Sequence, residues 1–336
     1  MQPARSLRRL AVAGVLLCLI VVVLGAYVRL TAAGLGCPDW PGCYGHLTPP
    51  DSTEAGEAAG KAWREMAHRY AAGTLVLVIL VISALAIRMR RLRLVSVPFA
   101  LILCATVLLQ AILGMLTVTW QLKPLIVSLH LLVGMTTLGL LWWLALSLPG
   151  GQWGTTALHS AGRSISGGGA SPIATAWGLA LLGLVALAVQ LALGGWTSSN
   201  YAAVACPDFP TCQHSLWPHA DYRDAFVLWR GQSINYEGGV LDNPARVAIH
   251  FTHRLGALAS TVALGAAALF ALRRRGLPSS ARARALALLA ALALQLCIGI
   301  TMVLKGFPLW LATAHTAGAA LLLLATLALL RSLSAR

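Results

Sequence analysis

Apolar residues in this chain do not alternate, nor do they fall every third or fourth place; they run almost unbroken for about 20 residues at a time, the length an α-helix needs to cross roughly 30 Å of hydrocarbon. Eight such runs lie near residues 10–30, 66–87, 97–119, 126–148, 172–195, 247–272, 285–304 and 309–330. The pattern predicts an all-α membrane protein with eight transmembrane helices. The segment from Gly150 to Ser171 is rich in Gly and Ser and has no apolar period, so it reads as a flexible linker between a four-helix unit over 1–149 and another over 172–336. The Arg-rich start resembles a signal peptide. Its apolar stretch, however, continues nearly to Tyr27 with no small-residue cleavage site behind it, and it is read as the first helix.

Composition agrees, with 58% hydrophobic residues, 10% charged and a mean hydropathy of +0.77. A soluble chain of this length needs far more polar surface. The net charge of +15 acquires meaning from its distribution. With the N-terminus inside, fifteen cations and no acid fall on the inner segments, including Arg5, Arg8 and Arg9, Arg88 to Arg93, Arg163, Arg273 to Arg284, and Arg331 and Arg336; the other ten cations and all ten acids fall at or beyond the outer helix ends. That is the positive-inside bias, so both termini and the linker are expected in the cytoplasm, and the chain in the inner (plasma) membrane as a multi-pass protein. Anionic lipid headgroups are a sufficient partner for the basic loops, and no nucleic-acid binding is expected.

The chain also repeats itself. CPDWPGC from Cys37 to Cys43 returns as CPDFPTC from Cys206 to Cys212, an offset of 169. His68-Arg69 returns as His253-Arg254, and Gln110, Gly114 and His130 return as Gln295, Gly299 and His315, all at an offset of 185. An insertion of 16 residues in the third outer loop reconciles the two offsets. The reading is of two repeated four-helix bundles in the same orientation, related by an axis along the membrane normal.

Of nine histidines, the repeat selects His68, His130, His253 and His315. Each is expected near the outer end of an even-numbered span, and 62 residues separate the members of each pair, enough to descend one helix, climb the next and return to the same depth. Two imidazoles facing one another in an apolar bundle suit axial ligation of haem iron. Zinc is the rival, but it requires three or four protein ligands. The loop histidines His46, His159, His214 and His219 read as solvated. His250 stands one turn before His253, where the first half has Glu65; it is a partner to the ligand, an alternative ligand or an ordinary interfacial histidine. Glu65 either moves protons and stabilises developing positive charge or forms a salt bridge with Arg64 or Arg69. Arg29, Arg69 and Arg254 are possible contacts for haem propionates, or they snorkel at helix ends. Cys18, Cys104 and Cys297 read as small core residues. The four loop cysteines lie where disulfides persist, and bridges Cys37–Cys43 and Cys206–Cys212 are expected, structural or redox-active.

Together GAYVRLTAAGLGCPDWPGCYG, EMAHR, His130, NYEGGVLDNPARVAIHFTHR and His315 resemble the haem A synthase family over nearly the whole chain. The resemblance implies an oxidoreductase that takes haem O as substrate and oxidises its C8 methyl to a formyl group by successive hydroxylations, supplying haem A to cytochrome c oxidase. It implies a resident haem b on His253 and His315, substrate haem on His68 and His130, and catalytic importance for Glu65. Haem O synthase, an electron-transfer partner and a second copy of the chain are the implied partners. Two other classes use the same features: a dihaem b-type electron-transfer protein, and a membrane thiol oxidoreductase working through the loop cysteines.

Overall fold

The computed structural model describes residues 2–49, 52–92, 94–148, 171–231 and 233–334. The expected linker, with His159 and Arg163, lies outside the described residues apart from Ser171. The long helices are α1 (Gln2–Leu30), α2 (Ser52–Arg88), α3 (Val97–Thr119), α4 (Pro124–Ser147) and α5 (Pro172–Ser199), then, after the four-residue α6 (Tyr222–Ala225), α7 (Asn243–Arg273), α8 (Ser279–Leu304) and α9 (Leu309–Leu333). All but α6 are long and apolar enough to cross a membrane, and there is no strand among the described residues. Proline in the first turn, where its missing N–H costs nothing, starts α3, α4, α5 and α7.

Several helices begin earlier than the apolar runs. The first turns of α2, α7 and α8 are polar, and α2 carries the good helix formers of EAAGKAWREMAHR ahead of its lipid-length stretch; its helical path is interrupted at Gly56 (φ 51°, ψ −123°). Hydropathy marks the part of a helix that meets lipid, whereas helix propensity continues beyond it.

Two rings of helices form. α1 packs on α2 and α4, and α3 closes that ring against α2 and α4; α7 packs on α5 and α8, and α9 closes the second against α5 and α8. α1, α4, α5 and α9 meet at the junction. Ile79, Ile82, Leu138, Leu141, Leu264, Leu288 and Leu329 are buried, while Leu77, Leu182, Leu258 and Val262 face outward. Of the three unpaired cysteines, Cys18 is buried and Cys104 half-buried, but Cys297 is exposed, not a core residue. A helix in lipid is apolar on every side, so apolar neighbours do not reveal which side faces in.

The junction is held by small residues and specific bonds. Gly195 lies against Ser128 and Leu131, and the Ser128 and Ser199 hydroxyls are 3.2 Å apart. The Trp142 indole donates to the Leu324 carbonyl at 2.9 Å. At the end carrying the disulfides, Arg29 donates to the Ser198 carbonyl at 3.1 Å and lies over the Tyr201 ring. The α5–α7 loop reaches the first ring as well. Its Tyr236 N–H donates to the Gln121 carbonyl at 3.1 Å, and Lys123 donates to the Gly231 carbonyl at 2.5 Å with its ammonium over the Trp229 ring.

Candidate functional site

Both cysteine loops are closed, Cys37 to Cys43 and Cys206 to Cys212, with Cα atoms 4.8 and 4.6 Å apart. Within each closed loop an X–Pro bond is cis, Trp40–Pro41 and Phe209–Pro210. Each loop is latched by its own aspartate. Asp39 accepts the N–H groups of Tyr44 and Gly45 at 2.7 and 2.8 Å, and Asp208 those of Gln213 and His214 at 2.7 and 3.0 Å.

The arginines after His68 and His253 then tie the two loops down. Arg69 donates to the Asp39 carbonyl at 2.9 Å and to the carbonyl of Gly42. Arg254 donates to the carbonyls of Thr211 at 2.7 Å and Cys206 at 2.9 Å. These guanidinium contacts, and those of Arg29 to Ser198, are made within the protein. Loop carbonyls at guanidinium distance were not legible from the spacing of the arginines alone.

Glu65 is buried on α2. One carboxylate oxygen pairs with Arg69 at 2.5 Å, and the other accepts the Cys37 backbone N–H at 2.9 Å. The salt bridge considered from sequence therefore exists, with Arg69 and not Arg64, whose Nε donates to Gly60. A carboxylate so placed joins three things: the disulfide loop, the arginine clamp and, one turn on, His68. In the second ring His250 takes that place, buried, accepting from Arg254 Nε at 3.3 Å. It is thus a partner of the arginine after His253. His46, His214 and His219 are exposed, as expected.

The four duplicated histidines project into the rings. His68 on α2 lies against α1 and His130 on α4 against α3, within the first ring; His253 on α7 lies against α5 and His315 on α9 against α8, within the second. Each imidazole rests on a glycine of a neighbouring helix. A Cβ on Gly25 would come 2.9 Å from His68 Cε1; on Gly114, 3.2 Å from His130; on Gly194, 3.2 Å from His253; on Gly299, 3.0 Å from His315. Of these seats, Gly114 and Gly299 were visible as a repeat, but Gly25 and Gly194, which share the loop offset of 169, were missed in the sequence reading.

Does this donor set suit haem? Among the described residues no three His, Cys, Asp or Glu side chains gather as a metal cluster, the arrangement zinc needs. A porphyrin supplies four nitrogen ligands of its own and asks the protein for axial ligands only. Two half-buried imidazoles per ring meet that demand, and His68 and His130 each have a buried Nδ1 with no hydrogen-bond partner. The residues fit the group.

Comparison with known proteins supplies the remaining finding. Residues 8–327 match the COX15-CtaA family, described as cytochrome oxidase assembly protein. A "Heme A synthase" of Shewanella oneidensis is 40% identical over 319 residues, covering 91% of this chain and 90% of its own. Proteins of the same name from Caulobacter sp. strain K31 and Beijerinckia indica are 30% identical over 337 residues and 28% over 354, covering 90% and 94% of this chain and 89% of each relative.

Proposed function

Because the chain belongs to the COX15-CtaA family of cytochrome oxidase assembly proteins, we propose that it is a haem A synthase that oxidises the C8 methyl of haem O to a formyl group. With water supplying the oxygen atom, that change releases four electrons and four protons, so an electron acceptor must serve the site. We place substrate haem between His68 and His130 in the first ring and a resident haem b between His253 and His315 in the second. When bound, the resident group supplies one-electron redox chemistry.

The observation that carries this division is the contrast of Glu65 with His250. The two rings match at their histidines and glycine seats, yet only the first has a carboxylate one turn from a ligand. Glu65 can stabilise positive charge developing at the substrate or take up a proton leaving it. Its bond to the Cys37 N–H and its pairing with Arg69 hold it in one orientation. The charge distribution supports an orientation with both termini in the cytoplasm and the disulfide loops outside. Arg29, Arg69 and Arg254 stand at that end, where propionates would meet them; haem O synthase is the enzyme expected to hand over the substrate.

The test is to express the full chain with a haem O synthase, extract the pigments and separate them chromatographically. Haem A is expected from the native chain. Glu65→Gln, which keeps the side-chain shape, is expected to stop at haem O or an alcohol while retaining its haem content. Absence of haem A from cells making the folded native chain would contradict the assignment.

A further inference from the structure

Lys123 immediately precedes the first residue of α4 and is only 3% exposed, although it carries a charge. Its ammonium lies 3.1 Å from the centroid of the Trp229 ring and 5.4 Å from that of Trp120, and the two indoles meet edge to face. An ammonium has three N–H donors, and the Gly231 carbonyl accepts one of them. Among the described residues no carboxylate pairs with it. Burying a cation without a counter-ion is costly, and aromatic faces with one carbonyl offset only part of that cost.

Beside this lysine lies a cavity of about 410 Å³. Trp120, Gln121 and Lys123 of the α3–α4 turn line one side, and Gly231, Ser233 and Tyr236 of the α5–α7 loop line the other. Tyr236 is 2% exposed, and its hydroxyl is buried with no hydrogen-bond partner. No side chain caps the start of α4, so its first N–H groups add partial positive charge at this end. An ammonium, a phenol and a helix end around one cavity are a donor set for a carboxylate.

Position ties the cavity to the first ring. Lys123 stands seven residues before His130, which is two turns, about 10 Å along α4, on nearly the same face. At the repeat offset of 185 its counterpart is Pro308, and the lysine of the α8–α9 turn, Lys305, is exposed. The loop wall is also special to this ring, since it comes from the third outer loop, which is longer than the first by the insertion of 16 residues. Arg69, by contrast, is already committed, to Glu65 and to the Asp39 carbonyl.

We infer that this cavity is a carboxylate subsite in which Lys123 and Tyr236 hold one propionate of the substrate haem. The inference rests on the haem assignment above and adds to it a binding contact that the second ring does not repeat. A porphyrin held by its iron alone can still turn about the axis through its two ligands. One carboxylate fixed at the rim stops that rotation and decides which methyl group faces Glu65, which is the selection the reaction needs. The ammonium gives the contact its charge, and the tyrosine hydroxyl gives it direction.

The full chain with its resident haem is placed in phosphatidylcholine nanodiscs and titrated with haem b or with haem b dimethyl ester, whose carboxylates are masked. Uptake by the first ring is read in the Soret band. The native chain is expected to bind the free acid more tightly than the ester. Lys123→Met keeps the apolar length and removes the charge; it should weaken binding of the free acid roughly 10-fold, as loss of one charge-assisted bond does, and leave the ester and the resident haem unchanged. Tyr236→Phe should move the acid-to-ester ratio the same way by a smaller factor. Equal weakening of both forms, the mark of a loop merely loosened, overturns the inference, as does a ratio unmoved in both variants; either result leaves the haem assignment intact. Phosphatidylglycerol that copurifies with the native chain and is lost from Lys123→Met, with the ratio unmoved, assigns the cavity to a lipid phosphate and overturns it too. A folded native chain whose first ring takes up neither form overturns the inference and the haem assignment together.

Discussion

Asp39 and Asp208 each gather the backbone of a disulfide loop onto one carboxylate, and their acidity records it. Asp39 is held below the ordinary carboxylate range first by the Gly45 N–H, with Tyr44 and the Arg69 charge adding to it; Asp208 is lowered first by the Thr211 hydroxyl, then by the His214 and Gln213 N–H groups. A carboxyl whose folded pKa lies below its unfolded value contributes fully above about pH 4 and loses that contribution as pH falls through the lowered folded value. Amide exchange at Tyr44 and Gly45, corrected for intrinsic rate, is therefore expected to stay slow from neutral pH to about 4 and to accelerate as pH falls further through the lowered Asp39 value. Asp39→Asn should remove that acid dependence and speed exchange at pH 7; unchanged exchange in this variant would show that the latch holds nothing. Both aspartates were on view within CPDWPGC and CPDFPTC. Their function was not, because the bonds run to the N–H groups five and six residues on, and only the folded loop brings those round.

Among the helices, the seats of the imidazoles carry the most consequence. Packing between helices in lipid relies on small residues, because water does not drive the helices together, and here those residues also set where each histidine ring lies. Gly299→Ala is expected to push the half-buried His315 ring aside by a few tenths of an ångström and weaken haem retention in the second ring. Gly265→Ala on α7, where an added Cβ meets nothing, should instead be neutral or stabilising by up to ~1 kcal/mol of helix propensity. Haem content and thermal melting of the two variants, measured side by side, check this; equal haem retention would mean that the seat at Gly299 is incidental. The helices themselves were legible because lipid demands unbroken apolar length, and the spans near 97–119 and 309–330 agree with α3 and α9 within a few residues. The polar starts of α2, α7 and α8 were not, since they extend beyond the stretch that hydropathy senses. Inward and outward faces were equally hidden, which is why Cys297 was misplaced; the duplicated histidines were chosen by repetition and not by polarity.

Across the whole molecule the two rings share a plan and differ in a few side chains: Glu65 against His250, Val21 against Gln190, and the longer α5–α7 loop, which bonds back to the first ring through Tyr236 and Lys123. The matching offsets made the plan readable from sequence. The contacts across the junction, Gly195 on Ser128, Trp142 on Leu324 and Arg29 on Ser198, join residues without any shared motif, and the chain order alone did not announce them. A protein so built can keep one porphyrin and process another only if iron is in fact gripped by the paired imidazoles. The most direct measurement is low-temperature electron paramagnetic resonance of the purified, oxidised full chain, read together with its optical spectrum. A low-spin ferric signal of bis-imidazole type is expected from the native protein, lost from the second ring in His253→Ala and His315→Ala alike. An unaltered low-spin signal in a variant lacking both of those histidines would contradict the account at its root.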